Sequence, residues 1–327
     1  MSPRFFTALL VATVIAVAGA SWSVMHGPVT ATVGTGEVAF PPLAAGPDAV
    51  HRIELRTTEG TLSFERSETG GWVTPEKHRY PVSSRRIREV VTELADMRLV
   101  EPKTRMAERY PLIGVEPVDA ADANSVELRL EDAGGRVLAH ALFGVRVWHR
   151  TGDARHGIFL REPGADRAWL ASGGTDMSYD MQDWLDRAII DVAADEIAAI
   201  AVRPEAAEDL VVSRGSDGML TADGREVDPD VLRRLASGLA RLSLIDVAPR
   251  REAVAAGASL SYTTGDGLVI EVAERQDGWL TFQATATGPD ARQRADALND
   301  RLAPWQYRLA DWQYERLFGA ALKAVDG

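Results

Sequence analysis

The chain has 327 residues and a formal net charge of −12, since 48 Asp and Glu residues outnumber 36 Lys and Arg residues. Binding to nucleic acid needs clustered cations that displace counterions from phosphates, so this acidity argues against a nucleic-acid partner. Apolar residues make up 46% of the chain and charged residues 26%, which is the composition of a globular protein. The chain has no Cys, which excludes disulfides, thiolate metal sites, a Cys nucleophile and a lipid-modified N-terminal Cys.

Residues 1–25 predict a membrane anchor. The stretch from Phe5 to Met25 has no charged side chain and is long enough to cross a hydrocarbon core of ~30 Å as one helix. Arg4 precedes this stretch, and the next Lys or Arg is Arg52. Since cations collect on the cytoplasmic side, the pattern predicts a single-pass protein with its N-terminus inside and the bulk of the chain outside the membrane.

A cleavable signal peptide is the alternative for the same residues. Ala18-Gly19-Ala20 is a small-x-small cleavage site, and the apolar stretch from Leu9 to Ala18 has the length of a signal-peptide core. Trp22 favours the anchor, because an indole is suited to the far interface of a spanning helix. Both alternatives export the rest of the chain. Residues 26–48 are rich in Gly and Pro and predict an extended linker.

An internal repeat organises the remainder of the chain. Apolar residues at helical spacing predict an amphipathic helix from Ser83 to Arg98, and adding 145 to each number gives a second apolar set from Asp228 to Ser243. Ser83 and Asp228 are the expected N-caps, and Pro229 is suited to the first helical turn. The two apolar sets are Ile87, Val90, Val91, Leu94 and Met97, and Leu232, Leu235, Ala236, Leu239 and Leu242.

The flanks of the two predicted helices match as well. A hairpin precedes each helix, and after it an alternating pair of strands turns at Gly134-Gly135 in one copy and at Asp266-Gly267 in the other. Tyr179…Asp183-Trp184 and Tyr307…Asp311-Trp312 close the copies with the same spacing. The sequence therefore predicts an α+β protein of two tandem, related modules, residues 49–190 and 195–327, each with a small antiparallel sheet. Late in the copies, residues 157–170 predict a hairpin, whereas residues 289–302 predict a helix.

Short motifs in the first module resemble a bacterial family, domain-of-unknown-function family 4340. They include Gly71-Trp72, Tyr80-Pro81-Val82, the stretch Tyr110-Pro-Leu-Ile-Gly-Val-Glu-Pro117 and Gly157-Ile-Phe-Leu160. The resemblance covers about Val50 to Leu170 well and the second module loosely, because the second copy lacks the Tyr-Pro-Leu-Ile-Gly stretch. It implies a membrane-anchored extracytoplasmic protein, often encoded beside an ABC transporter and an auxiliary subunit of the gliding-motility type. It brings no catalytic residues.

Motifs of enzymes and metal sites are missing from the sequence. There is no Gly-rich phosphate loop and no Gly-x-Ser-x-Gly elbow. His149 and His156 flank a turn with Asp153, and we interpret this segment as a solvated hairpin tip rather than a metal site. Asp176, Asp180 and Asp183 share one face of a helical pattern, where carboxylates favour a helix start. We therefore predict no catalysis, metal or cofactor; a hydrolase using His149 and His156 is the least favoured alternative.

The eight Trp residues suggest where partners bind. Trp72, Trp169, Trp184 and Trp279 are predicted to lie in the core. Trp148, Trp305, Tyr307 and Trp312 are the candidate partner contacts, since Trp and Tyr are favoured as interface anchors. The sequence and the resemblance together favour a non-enzymatic accessory subunit of the inner membrane with a periplasmic body, whose partners are an ABC-transporter permease and a second anchored auxiliary subunit. The alternative is a periplasmic module that binds glycan or another envelope polymer.

Overall fold

The computed structural model describes residues 36–147, 157–173, 178–251 and 257–326. These residues form a mixed α+β structure with two antiparallel sheets of nine strands each. The sheets are therefore larger than the small sheets that the sequence predicts. The contacts between the described residues divide them into two compact units. The first unit holds residues up to Thr61 and those from Glu89 to Gly173, and the second holds Leu62–Arg88 and everything described from Ser178 onward.

The first sheet contains the strands β1 to β9, and the second contains β10 to β18. The strands of the first sheet are β1 Val50–Thr57, β2 Gly60–Arg66, β3 Trp72–Thr74, β4 Tyr80–Val82, β5 Leu99–Pro102, β6 Val126–Asp132, β7 Val137–Val147, β8 Gly157–Arg161 and β9 Ala168–Ser172. Those of the second are β10 Ala188–Ile190, β11 Ile197–Arg203, β12 Leu210–Arg214, β13 Leu220–Ala222, β14 Leu242–Pro249, β15 Ser259–Thr264, β16 Leu268–Glu274, β17 Leu280–Ala286 and β18 Trp305–Leu309. The α-helices are α1 Pro41–Ala45, α2 Ser84–Ala95, α3 Pro229–Ala236, α4 Pro289–Leu302, α5 Asp311–Tyr314 and α6 Ala320–Asp326.

Eight of the nine strands follow the same spatial order in the two sheets. The first runs β4-β3-β2-β1-β6-β7-β8-β9-β5, and the second, read from its other edge, runs β13-β12-β11-β15-β16-β17-β18-β14-β10. In these two orders, the eight strands from β3 to β5 of the first sheet correspond one by one to the eight strands from β13 to β14 of the second. Only β4 and β10, at opposite ends, have no counterpart. This agreement is what the tandem repeat predicts, since unrelated amphipathic helices would not bring the same strand order with them.

The predicted helices form with the predicted caps but end earlier. The backbone N–H of Arg86 donates to Ser83 Oγ at the start of α2, and that of Asp230 donates to Asp228 Oδ1 at the start of α3. Such caps satisfy N–H groups that have no partner inside the helix. All ten apolar positions of the repeat are buried. However, α2 ends at Ala95 and α3 at Ala236, so Leu239 and Leu242 lie beyond their helix.

The last part of the predicted linker is packed and not extended. The backbone N–H of Gly36 donates to Leu99 O at 2.8 Å, and that of Ala39 donates to Met97 O at 2.8 Å. Phe40, the residue before the short α1, and Leu43 within it are both buried. Burial of two large apolar side chains stabilises this segment by roughly 3–6 kcal/mol, which explains why residues rich in Pro and Gly do not form a free tether here.

Within the described ranges, no helix is long and apolar enough to cross a membrane. The predicted anchor, residues 1–25, lies outside those ranges.

Candidate functional site

One of the four predicted partner contacts is an exposed aromatic side chain. Trp312 lies in the first turn of α5 and is 63% exposed. The guanidinium carbon of Arg316, one turn later, lies 5.3 Å from the centroid of its ring. Arg316 is itself held in place, because its Nη2 donates to Ala240 O at 2.7 Å. The result is a Trp–Arg pair whose aromatic face is available to a partner.

Tyr307 is fully buried, so the prediction that it contacts a partner is wrong. Its ring meets that of Phe282 edge-on, with centroids 5.6 Å apart. Trp305 is half-buried and packs edge-on against Tyr80, with centroids 5.0 Å apart. Residues two apart on a strand share a face, and in β18 that face points into the core. The predicted aromatic cluster is therefore mostly the inner face of a strand, and burial raises the pKa of Tyr307.

The repeat provides an internal comparison for Trp312. Its counterpart by spacing, Trp184, is fully buried and stacks on Phe64 with centroids 4.6 Å apart. The indole N–H of Trp184 donates to Ser178 O at 2.8 Å. Trp184 is thus a core residue, as predicted, whereas Trp312 is exposed. The matched spacing does not mark equivalent positions, because Tyr307 lies within β18 whereas Tyr179 follows β9, the counterpart of β18. Trp72 is also buried as predicted, and Trp169 and Trp279 are half-buried.

The candidate acidic and histidine sites give no metal centre among the described residues. Asp180 caps a single 3₁₀ turn, where its Oδ1 accepts from the Gln182 N–H at 2.9 Å. Asp183 accepts a hydrogen bond from the Ser178 hydroxyl. Both carboxylates are exposed and serve the local turn. The remaining candidates, Trp148, His149, Asp153, His156 and Asp176, lie outside the described ranges.

The first unit contains a cavity that the sequence does not predict. Its volume is about 440 Å³, within the usual range for small-molecule sites. Phe40, Leu138, Leu160 and Trp169 supply its apolar wall, and His140, Glu162 and Arg167 supply its charged and polar groups. The strands β7, β8 and β9 and the segment before α1 bring these residues together. No local sequence signal marks the cavity, because its wall is collected from four separate segments.

A chain of charged groups supports His140 from the cavity wall outward. His140 Nε2 lies 2.8 Å from Glu127 Oε1, and Glu127 Oε2 accepts from Arg56 Nε and Nη2 at 3.0 and 2.6 Å. Arg56 also donates to Asp119 at 2.9 Å. Burial alone would raise the pKa of Glu127, but the hydrogen bonds from His140 and Arg56 outweigh it and hold that pKa below its usual value.

Glu127 orients the His140 imidazole, but the described cavity wall has no nucleophilic side chain beside it. A carboxylate that holds a histidine is one half of a catalytic triad, and the other half is a Ser, Thr or Cys beside the imidazole. As far as the structure describes it, the cavity wall has no such residue. Trp169 and the polar side chains of the described wall are suited to binding a ligand through stacking and hydrogen bonds.

Within the motif from Tyr110 to Pro117, the residues Tyr110, Val115 and Glu116 are buried. The guanidinium of Arg161, itself buried, lies 4.3 Å from the Tyr110 ring centroid, and its Nε donates to Val115 O at 2.9 Å. The Tyr110 hydroxyl donates to Asp166 O at 2.6 Å. Gly144 lies so close that a Cβ there would clash with Ile113 O and stand 2.7 Å from Gly114 O. These contacts fix β7 and β8 to the loop, which is a structural role.

Comparison with known proteins identifies the family. A family model described as a domain of unknown function, DUF4340, matches residues 72–261, which is 190 of the 327 residues. The match starts in β3, includes the Tyr110–Pro117 motif and ends in β15, so it reaches farther into the second copy than the sequence motifs suggest. No curated protein and no solved structure matches the chain significantly. The resemblance is confirmed: the chain belongs to the DUF4340 family of domains of unknown function.

Proposed function

We propose that this protein is a non-enzymatic, membrane-anchored extracytoplasmic subunit of an ABC-transporter-type complex and acts through contacts with partner proteins. The observation that carries the proposal is the exposed Trp312–Arg316 pair. Trp and Arg are the residue types most enriched at the energetic centres of protein interfaces. Trp184, its counterpart by sequence spacing, ends a 3₁₀ turn and is buried, whereas Trp312 lies in α5 and is 63% exposed. Its exposure at 312 favours a role in binding.

The transporter partners come from what the family resemblance implies, namely a permease and a second anchored auxiliary subunit. An uncharged segment from Phe5 to Met25, acting as an anchor, would confine the body to the membrane surface and raise its effective concentration near other membrane proteins. The net charge of −12 disfavours adhesion of the body to anionic lipid. The uncharged segment and the negative net charge are both consistent with a protein that is attached to the membrane through its anchor and contacts its partners through the rest of the chain.

Affinity purification of the full chain from detergent-solubilised membranes tests the proposal. We expect it to recover ABC-transporter subunits, and we expect Trp312→Ala to reduce their yield about tenfold or more, as loss of an interface anchor does. Trp312 is the better test than Trp305, because Trp305 packs against Tyr80 and its removal would also weaken the fold.

Met219→Ala is the matched control, since Met219 is also exposed, in the turn that leads into β13. It should leave the yield unchanged. A protein that purifies alone after crosslinking in cells, or a Trp312→Ala variant that recovers the same partners as the parent, would contradict the proposal.

A glycan-binding module is the second candidate, and the cavity of about 440 Å³ is the observation that favours it. Trp169 in its wall offers a stacking face, and Arg167 and Glu162 offer hydrogen bonds, which together suit a sugar ring. Specific binding on a glycan array that Trp169→Ala removes, while Trp312→Ala retains it, would favour this function over the first.

A further inference from the structure

Two arginine residues lie beside the exposed Trp312 in the second unit. Arg316 packs against the indole, and its Nη2 donates to Ala240 O at 2.7 Å. Arg241 is the next residue after Ala240, and its side chain is exposed. The two guanidinium groups are close enough for the charge of Arg241 to help lower the pKa of Arg316, although burial is the main cause. Arg241, Trp312 and Arg316 therefore form one small surface area, the Trp312 patch.

Neither arginine of the Trp312 patch is paired with a carboxylate. Among the described residues, the partners of Arg316 are the Trp312 ring and backbone carbonyls, and its Nε is buried without an acceptor. Asp191 accepts the backbone N–H of Arg241 at 2.8 Å. Within the described ranges, however, no carboxylate lies at ion-pair distance from either guanidinium. A partly buried cation without a counter-ion costs free energy, and a carboxylate on a partner would reduce that cost.

The backbone of Arg241 is in a conformation that an arginine rarely adopts. Its φ is +48°, in the left-handed region, where glycine and asparagine are better accommodated. Strained residues of this kind occur most often at functional sites. An asparagine would relieve the strain at this position, so an arginine here favours a role for the side chain in binding.

The helix beside Trp312 also departs from α-helical geometry. A π-helical turn spans Glu315–Gly319 directly after α5, and Arg316 is its second residue. Such turns are rare and are frequently found at functional sites. The Glu315 carboxylate lies over Gly319, where a Cβ would clash with it. It therefore extends along the helix and leaves Arg316 without an ion pair.

We infer that the partner segment that docks on the Trp312 patch is acidic, with an apolar side chain that packs on the indole and carboxylates that pair with Arg241 and Arg316. This inference deepens the proposed function and rests on it. A guanidinium binds a carboxylate through two parallel N–H···O bonds. An anionic bilayer is a less favourable partner, because it would also face other parts of a chain whose net charge is −12. A peptide segment, by contrast, would contact the patch alone.

Photo-crosslinking in isolated membranes tests the inference. The full chain carries p-benzoylphenylalanine in place of Trp312, so that an aromatic ring is kept at the centre of the patch. We expect adducts with a partner protein, located by mass spectrometry in a segment where Asp and Glu clearly outnumber Lys and Arg. Raising the salt concentration from about 0.05 M to about 0.5 M should reduce the adduct yield several-fold, because salt screens exposed charges.

Arg241→Asn in the same background separates binding from folding. We expect it to reduce the adduct yield about tenfold. Its unfolding midpoint should equal or exceed that of the parent, because asparagine is better accommodated at this φ. Arg292→Gln is the matched control, since Arg292 is exposed on α4 and its loss changes the net charge equally. It should change the adduct yield by less than about twofold.

The outcomes distinguish this inference from the proposed function. Adducts in a neutral or basic segment, or an adduct yield that depends on neither salt nor Arg241, would overturn the acidic partner and leave a protein contact at Trp312 in place. Adducts with phospholipid instead of protein, or no adduct at any salt concentration, would contradict the proposed function as well as the inference.

Discussion

Glu127 connects the cavity-lining His140 to Arg56, and its protonation links this network to stability. Its folded-state pKa is lowered, since the hydrogen bonds from His140 and Arg56 outweigh the opposing effect of burial. A carboxyl group with a lowered pKa stabilises the fold above its unfolded pKa, about 4.3, and that contribution is lost as the pH falls through the folded pKa. We expect Glu127→Gln to reduce the free energy of unfolding by about 1–2 kcal/mol above about pH 6. The difference from the parent should shrink to near zero in acid, as urea unfolding at several pH values can measure.

Asp119 is the control for this prediction, because it binds the same arginine from the surface. Its side chain is 78% exposed, compared with 17% for Glu127. Exposed ion pairs contribute little, so Asp119→Asn should change stability by less than about 0.5 kcal/mol at any pH. If the two variants lose equal stability, or the loss in Glu127→Gln does not depend on pH, the hydrogen-bonded carboxylate is not the cause.

Residue type alone does not tell that Trp312 is exposed and Tyr307 is buried. Both are aromatic residues near the C-terminus, and both were candidate contacts. The strand β18 turns Tyr307 inward, whereas α5 leaves Trp312 in solvent. The sequence shows aromatic content and spacing, but the face that a strand buries depends on the pairing of β18 with β14 and β17, which is a long-range property.

The packing of each repeat helix depends on a buried leucine at the same position of the repeat. Leu94 in α2 and Leu239, just beyond α3, are both fully buried. We expect Leu94→Ala and Leu239→Ala each to reduce the free energy of unfolding by about 2–5 kcal/mol, because each leaves a cavity in close-packed surroundings. Val100→Ala, at a 40% exposed position of β5, should cost less than about 1 kcal/mol. Urea unfolding measures all three, and a loss under about 1 kcal/mol at either leucine would contradict its buried role.

The buried faces of these helices are predictable from sequence, but their ends are not. Apolar spacing and the Ser83 and Asp228 caps are local signals, and both are confirmed. The end of α3 depends on distant side chains: the Tyr262 hydroxyl donates to Leu235 O at 3.2 Å, and Arg316 donates to Ala240 O at 2.7 Å. These partners satisfy carbonyls that a longer helix would bond internally. The apolar pattern continues to Leu242 because Leu239 in the following turn and Leu242 at the start of β14 are buried as well.

For the whole molecule, the repeat is the feature that the sequence predicts best. Helix, hairpins and turns recur in the same order along the chain, and the order of eight strands recurs with them. The candidate ligand site is predicted poorly, because the 440 Å³ cavity collects residues from separate segments. The two copies also differ in detail: the Tyr110–Pro117 stretch, which has a structural role, occurs only in the first copy, and among the described residues only the second copy has an exposed Trp. Duplication with divergence would let one chain present two different surfaces.

The proposed function also requires that the body stay attached to the membrane. The uncharged stretch from Phe5 to Met25 is long enough to span the bilayer, and Trp22 suits its outer interface. We expect the intact mass of the chain extracted from membranes to include this segment, and we expect the protein to remain in the pellet after an alkaline carbonate wash, because a spanning helix is held by the hydrophobic effect. Replacing Leu10 and Val14 with Arg should release the body from the pellet or prevent export, since each charge at the bilayer centre costs about 3 kcal/mol. A mature chain that begins at Ser21 would show instead that Ala18-Gly19-Ala20 is a cleavage site, and the body would then need its partner contacts to remain at the membrane.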